Sequence, residues 1–191
     1  MGNKKYHIGL YEKAMPSALN WEEKLQCARD CGYDFVEIGI DESDARLARL
    51  EWTAQERAQL RETMQKIGVP IRSMCLSGHR KYPFGASDPA VRQRSLEIME
   101  NTRFGEDALS GIYHETKPEG IRVIQLAGYD VYYEEGSEQT RKDFAENLKK
   151  AVEMAAVHGV VLGFETMETE FMNTVEKSMQ YVKLIDNPYL G

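Results

Sequence analysis

The sequence predicts an α/β fold of repeating strand–helix units around a parallel sheet. Three observations carry this. Short apolar, β-rich runs recur at 7–10, 35–40, 71–76, 123–127 and 160–164, with helical patterns between them. Helix starts are marked by capping signals and helix ends by glycine. The spacing is regular: five units use the 191 residues at roughly 35 to 40 each, so eight would need on the order of 280 to 300, within the range of a (β/α)8 TIM barrel with modest loops. An open doubly wound sheet of five strands would also fit this length.

The first unit opens with the run 7–10. Its loop, Tyr11-Glu12-Lys13-Ala14-Met15-Pro16, contains no glycine, whereas a dinucleotide-binding doubly wound domain needs a Gly-rich turn there so that backbone amides can approach phosphate. No Gly-x-x-x-x-Gly-Lys-Ser/Thr loop occurs elsewhere. Asn20-Trp21-Glu22-Glu23 reads as a capping box, after which Trp21, Leu25 and Ala28 step at helical spacing to a stop at Gly32. In the second unit, Asp41, Glu42 and Asp44 follow the strand as candidate turn caps. Thr53-Ala54-Gln55-Glu56 repeats the capping box, and Leu60, Met64 and Ile67 form a stripe ending at Gly68.

The third run, 71–76, is followed by Ser87-Asp88-Pro89, an N-cap with proline at the first helical position. Gly105, Gly111 and Pro118 then break the segment 100–120. Gly costs about 1 kcal/mol and Pro about 3 kcal/mol inside a helix, so this segment is expected to be irregular, an insertion-like stretch within a single domain spanning 1–191. The fourth run, 123–127, leads to a helix carrying Phe144, Leu148, Ala151 and Ala155, with His158 as a partner for its C-terminal dipole before Gly159. The fifth, 160–164, leads to Val175, Met179, Val182 and Ile185, ending before Pro188. Tyr189-Leu190 then starts another apolar segment, so the repeat is expected to be cut before it closes. Open apolar edges of that kind pair with other chains, and a homo-oligomer is compatible with them.

Composition narrows the function classes. With 42% hydrophobic and 29% charged residues the chain is an ordinary globular sequence. A net charge of −7 and a pI near 5.2 argue against a nucleic-acid or anionic-membrane surface, leaving small molecules as partners. The N-terminus has no secretory apolar region and no stretch approaches the ~18 residues of a membrane span, which makes a cytoplasmic protein the expectation. Cys27, Cys31 and Cys75 show no disulfide or zinc spacing with a second pair and are read as small buried side chains.

Ligands of α/β proteins sit beyond the carboxyl ends of the strands. Glu165 matters most there, because it ends the wholly apolar run Val160-Val161-Leu162-Gly163-Phe164. Other tips carry Glu12, then Glu37, Asp41 and Glu42, then Ser77-Gly78-His79-Arg80-Lys81, then Gln125, Gly128, Tyr129, Asp130, Tyr132 and Tyr133. Carboxylates, a histidine, amides and tyrosines around one pocket suit a hard divalent cation (Mg²⁺ or Mn²⁺, or Zn²⁺ with histidine) and a polyhydroxylated ligand. Arg80 and Lys81 suit a phosphate or acid group. Each also has a structural reading: Glu37 could pair with a helix, the acids at 41–44 could cap a turn, His79 could be an exposed loop residue, and the tyrosines could simply pack.

Four strings go further: Gly9-Leu10-Tyr11-Glu12-Lys13-Ala14; Phe35-Val36-Glu37-Ile38 with Asp41-Glu42-Ser43-Asp44; Ser73-Met74-Cys75-Leu76-Ser77-Gly78-His79-Arg80; and residues 121–133. Together they closely resemble the L-ribulose-5-phosphate (L-xylulose-5-phosphate) 3-epimerases of bacterial ascorbate and pentose catabolism, also described as hexulose-6-phosphate isomerases. The resemblance covers essentially the whole chain. It implies a xylose isomerase-like TIM barrel holding one divalent metal (Zn, Mn or Mg) through two glutamates, an aspartate and a histidine at the tips of strands five to eight.

The first of those glutamates matches Glu165, which would be both metal ligand and one of two opposed catalytic carboxylates that move the C3 proton of a sugar phosphate. Glu12, His79, Arg80, Gln125 and Tyr129 are the candidate substrate-binding residues. The other three ligands would lie beyond Gly191, so the resemblance implies a metal-dependent isomerase whose metal is poorly bound, and whose activity is lost, in residues 1–191 alone. The alternatives are a sugar-phosphate-binding or inert fragment and an apurinic endonuclease-like zinc enzyme, the last disfavoured by the acidic charge and the few histidines. Glu165, Glu12 and His79 are expected to share one cleft.

Overall fold

The chain was described by a computed structural model that covers residues 6–102, 113–114, 117–118 and 120–191. Strands β1 (Gly9–Tyr11), β2 (Phe35–Ile40), β3 (Ile71–Leu76), β4 (Tyr113–His114), β5 (Lys117–Pro118), β6 (Val123–Ala127) and β7 (Val161–Glu165) alternate with helices α1 (Trp21–Asp30), α2 (Asp44–Leu47), α3 (Ala54–Ile67), α4 (Pro89–Asn101), α5 (Glu138–Val157) and α6 (Val175–Ile185). Five strands form one all-parallel sheet in the order β1-β2-β3-β6-β7, while β4 and β5 pair antiparallel as a separate two-residue ladder. The expected five βα units are therefore present in sequence order.

Local chemistry explains the element ends. Both capping boxes form: Asn20 accepts from the Glu23 amide and Thr53 from the Glu56 amide, with each glutamate reaching back. Gly32, Gly68 and Gly159 take left-handed φ near +70 to +80°, where a side chain would be strained. Asp88 accepts from the Ala90 amide with Pro89 in the first turn of α4. That helix closes at Asn101, so no unbroken helix runs from Pro89 to Gly120; the rest of the irregular segment expected at 100–120, apart from β4, β5 and the flanks, lies outside the described residues. Several short elements were not anticipated: α2, the β4–β5 ladder, and the 3-10 turns Glu12–Ala14 after β1, Ala48–Glu51 after α2 and Ser77–Arg80 after β3.

The core fills the helix-facing side of the sheet. Val36, Ile38, Ile40, Met74, Leu76, Ile124, Leu126 and Leu162 are buried there with Leu25, Ile98, Phe144, Leu148 and Ala151 of the helices. Side chains alternate along a strand, so Glu37, Ser73, Cys75, Gln125 and Glu165 occupy the opposite face. The register ranks them: Gly39, Cys75, Gln125 and Gly163 are neighbours in one layer, and Ala127 with Glu165 form the layer above. Beyond β7, the Leu162 amide donates to the Tyr189 carbonyl and the Phe164 amide to that of Gly191, both at 2.8 Å, so the segment after Pro188 pairs parallel with β7. No helix among the described residues is long and apolar enough to cross a membrane.

Gly85 shows how tightly the loops above the sheet are packed. A Cβ there would meet the Thr140 carbonyl oxygen at 2.3 Å and that of Asp130 at 2.6 Å, both backbone atoms that cannot swing aside. Gly85→Ala is expected to lower stability by at least 1–3 kcal/mol, on the order found for overpacked interiors, read as a reduced urea midpoint with an unchanged m-value.

Candidate active site

The carboxyl ends of β1, β2, β3 and β7 surround a cavity of about 610 Å³ lined by Tyr11, Lys13, Asp41, Glu42, Ser43, Cys75, Ser77, Arg80, Glu165 and Met167. Glu165 reaches it because it ends β7 on the face away from the helices. Close approach of the neighbouring tip depends on Gly128, whose amide donates to the Glu165 carbonyl at 3.2 Å; a Cβ at that glycine would lie 2.8 Å from the same oxygen and 2.5 Å from the Met172 sulfur. The chain after Glu165 folds back on itself, the Met167 amide donating to the Met172 carbonyl. Lys177 of α6 pairs with Glu170 at 2.7 Å and ties that loop down.

The floor is set by Tyr11 and Cys75, which sit together beside Gly39. Burial pushes the Tyr11 hydroxyl and the Cys75 thiol up, so both are neutral donors at neutral pH. On the rim, Lys13 pairs with Asp41 at 2.6 Å. Burial alone would raise the Asp41 carboxyl, but hydrogen bonds from Lys13 and from the hydroxyl and amide of Ser43 hold it down at about 2. Across the opening, Arg80 lies over the Tyr132 ring at 4.9 Å and the Tyr129 ring at 5.9 Å, and the Tyr129 hydroxyl donates to Glu168 at 2.8 Å.

Two expected members of the cleft are turned away from it. Glu12 is 1% exposed and lies beneath the segment after β2. Its carboxylate accepts from Arg46 at 2.5 Å, Arg49 at 2.6 Å and the Gly39 amide at 3.1 Å, with Lys24 at 3.4 Å. Burial works against that charge and these donors outweigh it, leaving the carboxyl below its ordinary range. Such a carboxylate has no lone pair to offer a ligand. His79 is 2% exposed: the 3-10 turn directs it under α4, where Nε2 lies 3.2 Å from the Ser95 carbonyl and the ring packs on Phe84, while the next residue, Arg80, faces the cavity. It is a core histidine, not an exposed loop residue or a cavity ligand.

Among the remaining candidates, Gln125 lies on the cavity face one layer below Glu165, and Tyr129 reaches the wall through Arg80. The reading of the cysteines as buried holds for Cys75 only: Cys27 is half-buried and Cys31 exposed. Tyr11, Lys13 and Cys75 were missed as lining residues. The available signal was parity, since Tyr11 aligns with Glu37 and Cys75 with Gln125 on the face that carries Glu165. No group of three or more His, Cys, Asp or Glu placed to hold a metal occurs among the described residues. These residues do not by themselves fit a metal centre, and no chemical step is drawn through one.

A family model described as "Xylose isomerase-like TIM barrel" matches residues 25–104 and 112–191. The chain belongs to this family. The *Escherichia coli* K12 protein SgbU is 46% identical over 187 residues, 97% of this chain and 62% of that protein. The L-ribulose-5-phosphate 3-epimerase UlaE of *Escherichia coli* O157:H7 is 44% identical over 190 residues, 99% of this chain and 63% of that one. The chain thus spans a little under two thirds of the curated relatives it matches. Among solved structures, D-allulose 3-epimerase from *Methylomonas* sp. superposes with a TM-score of 0.73 at 16% identity, over 98% of this chain and 62% of the other. A xylose isomerase-like TIM barrel protein from *Mycobacterium smegmatis* in complex with magnesium gives 0.69 at 13% identity, over 98% and 63%. At these identities the structures establish the fold alone.

Two consequences of the buried charges are measurable. Glu12→Gln leaves Arg49 and Lys24 without their anion and Arg46 with Asp41 alone, and is expected to cost about 3–5 kcal/mol in chemical denaturation. His79 is held down to about 4 by burial, against 6.5 for a free imidazole. The unfolded chain therefore binds the extra proton first as pH falls. This contribution to stability is intact above about pH 6.5 and is lost progressively between 6.5 and 4, by on the order of 3 kcal/mol; the slope should flatten in that window for His79→Gln.

Proposed function

We propose that the cavity at the tips of β1, β2, β3 and β7 is part of the active site of a sugar-phosphate 3-epimerase acting on L-ribulose 5-phosphate or L-xylulose 5-phosphate. The observation that carries this reading is the placement of Glu165, the carboxylate ending β7, on a cavity wall otherwise rich in hydroxyl and charged groups. The 44% identity to UlaE along nearly the whole chain supports the substrate class.

The chemistry asked of the site is proton transfer at carbon. A C3 hydrogen beside a C2 carbonyl is acidic because its removal gives an enediolate, and returning a proton to the other face of that planar centre inverts C3. Glu165 takes the proton on one face. Tyr11 and Ser77 on the cavity wall, and Gln125 in the layer below, present hydrogen-bonding groups to the hydroxyls and carbonyl, while Tyr129 fixes Arg80 on the opposite wall. A divalent ion, where bound, would supply polarisation of the carbonyl, with Glu165 as one ligand. Its other ligands and the second acid/base carboxylate would come from outside the residues described.

Residues 1–191 on their own are expected to show no epimerisation of L-ribulose 5-phosphate, since one carboxylate cannot serve both faces of C3. A form carrying three further barrel units should be active, and Glu165→Gln should lower its kcat by at least a factor of 10². A coupled epimerase assay with added Mn²⁺, Mg²⁺ or Zn²⁺ tests both. Metal-dependent turnover by the 191-residue chain that Glu165→Gln abolishes would overturn the proposed division of the site.

A further inference from the structure

Cys75 belongs to the cavity, but the other two cysteines do not. Cys27 and Cys31 lie at the end of α1, four residues apart, and a helix brings such positions onto one face. The turn that carries them is intact: the Cys31 amide donates to the Cys27 carbonyl at 3.0 Å, and Cys31 keeps right-handed helical angles. Both sit on the flank of the buried stripe formed by Lys24, Leu25 and Ala28. Cys27 is half-buried against the core and Cys31 is exposed, so solvent reaches the pair. Gly32 then turns the chain at φ +79° with open space where a Cβ would stand. Asp34 accepts from the Ile8 amide just before β1, which places the pair at the amino ends of the strands, away from the cavity.

Two thiols in this arrangement can be joined by a bond or by an ion, and the helix decides between them. Cβ atoms four residues apart on a helix stand roughly 5–6 Å from each other, whereas a disulfide needs about 3.5–4.5 Å. An S–S bond would therefore require the last turn of α1 to open. An ion adds two metal–sulfur bonds of about 2.3 Å each, the length found with zinc, and spans the pair without moving the backbone. Burial, and then the neighbouring Cys31, also hold the Cys27 thiol above its ordinary range, which disfavours attack on an oxidant because the thiolate is the reactive form. A metal displaces that proton as it binds, so its affinity climbs with pH.

The ligand count selects the ion. No group of three or more His, Cys, Asp or Glu placed to hold a metal occurs among the described residues, and the nearby Asp30 accepts from Gln26 at 2.7 Å. Zinc would be left two ligands short of its tetrahedron. Soft thiolate ligands favour Cu(I), a closed-shell ion that is satisfied by two sulfurs. We propose that Cys27 and Cys31 form a two-sulfur chelate for a soft monovalent metal ion of the Cu(I) class on the flank of α1. Binding exchanges two S–H protons for two metal–sulfur bonds and changes no oxidation state. The site is independent of the epimerase reading.

The test is an anaerobic titration of the reduced 191-residue chain with Cu(I) against a coloured Cu(I) chelator, repeated on C27S, C31S and C75S. One ion per chain should bind, more tightly as pH rises. C27S and C31S should each weaken binding by more than the ~10- to 100-fold that loss of a group merely supporting a ligand costs a metal site, while C75S should leave it unchanged. X-ray absorption at the copper edge should show sulfur alone around the ion. Binding that survives C27S or C31S, or that vanishes in C75S, overturns the site, as does absence of binding to the unaltered chain. One ion shared by two chains, with a dimer seen in sedimentation, overturns the single-chain chelate. A disulfide between Cys27 and Cys31 in the peptide map of chain purified in air overturns the choice of an ion over a bond. C31S alters an exposed side chain, so its result decides the matter even should C27S fold poorly.

Discussion

Everything in this molecule depends on one face of a parallel sheet being sealed by helices. Once Val36, Ile38, Ile40, Met74, Leu76, Ile124, Leu126 and Leu162 are committed to that side, the alternation of strand side chains leaves no choice for their neighbours. Glu37, Ser73, Cys75, Gln125 and Glu165 must face the other way. All five strands run in one direction, so their carboxyl ends come together, and the groups collected there belong to loops distant in sequence. A one-residue slip in β7 would send Glu165 into the core, where an unpaired charge is untenable.

Charge is then sorted by the tight turns at the strand ends. After β1, Glu12 goes down into a nest of Arg46, Arg49, Lys24 and the Gly39 amide, while Lys13 goes up to the rim and Asp41. After β3, His79 goes under α4 and Arg80 goes to the cavity. In both places, Glu12–Ala14 after β1 and Ser77–Arg80 after β3, adjacent polar residues separate because a 3-10 turn rotates successive side chains by about 120°. The Glu12 nest has a further effect. Arg46 also lies 3.3 Å from Asp41, so the buried ion cluster and the cavity rim share a guanidinium. The position of the loop after β2 is therefore fixed from below, leaving Asp41 and Glu42 presented to the cavity.

The opposite wall is organised by aromatic rings. Tyr129, Tyr132 and Tyr133 stack edge to face at 4.8 Å centroid separations, and the Tyr129 and Tyr133 hydroxyls donate to carboxylates on two other loops, Glu168 and Glu42. These contacts link the tips of β2, β6 and β7. They also place Arg80 where the faces of the Tyr129 and Tyr132 rings stabilise its charge.

Much of the fold was legible in the sequence because its signals are local. Capping boxes at Asn20 and Thr53, glycine stops at Gly32, Gly68 and Gly159, and the apolar runs act over a few residues, and each forms as read. The unbroken apolar run before Glu165 likewise marked the end of a strand without any neighbour's help. Only the tertiary structure decided which polar residues share a cavity. Glu12 and His79 look like site residues in sequence, yet their fate depends on Arg46, Arg49, Phe84 and Ser95, which come from later elements whose packing no local pattern encodes. Conversely Tyr11 and Cys75 look like ordinary core residues, and it is the register between β1, β2 and β3 that turns them to the cavity. The sequence alone thus determined the order and ends of the elements, because those depend on short-range backbone hydrogen bonding and sterics. The site's composition was settled by the sheet register and by competition among buried charges, which exist only once distant strands are side by side.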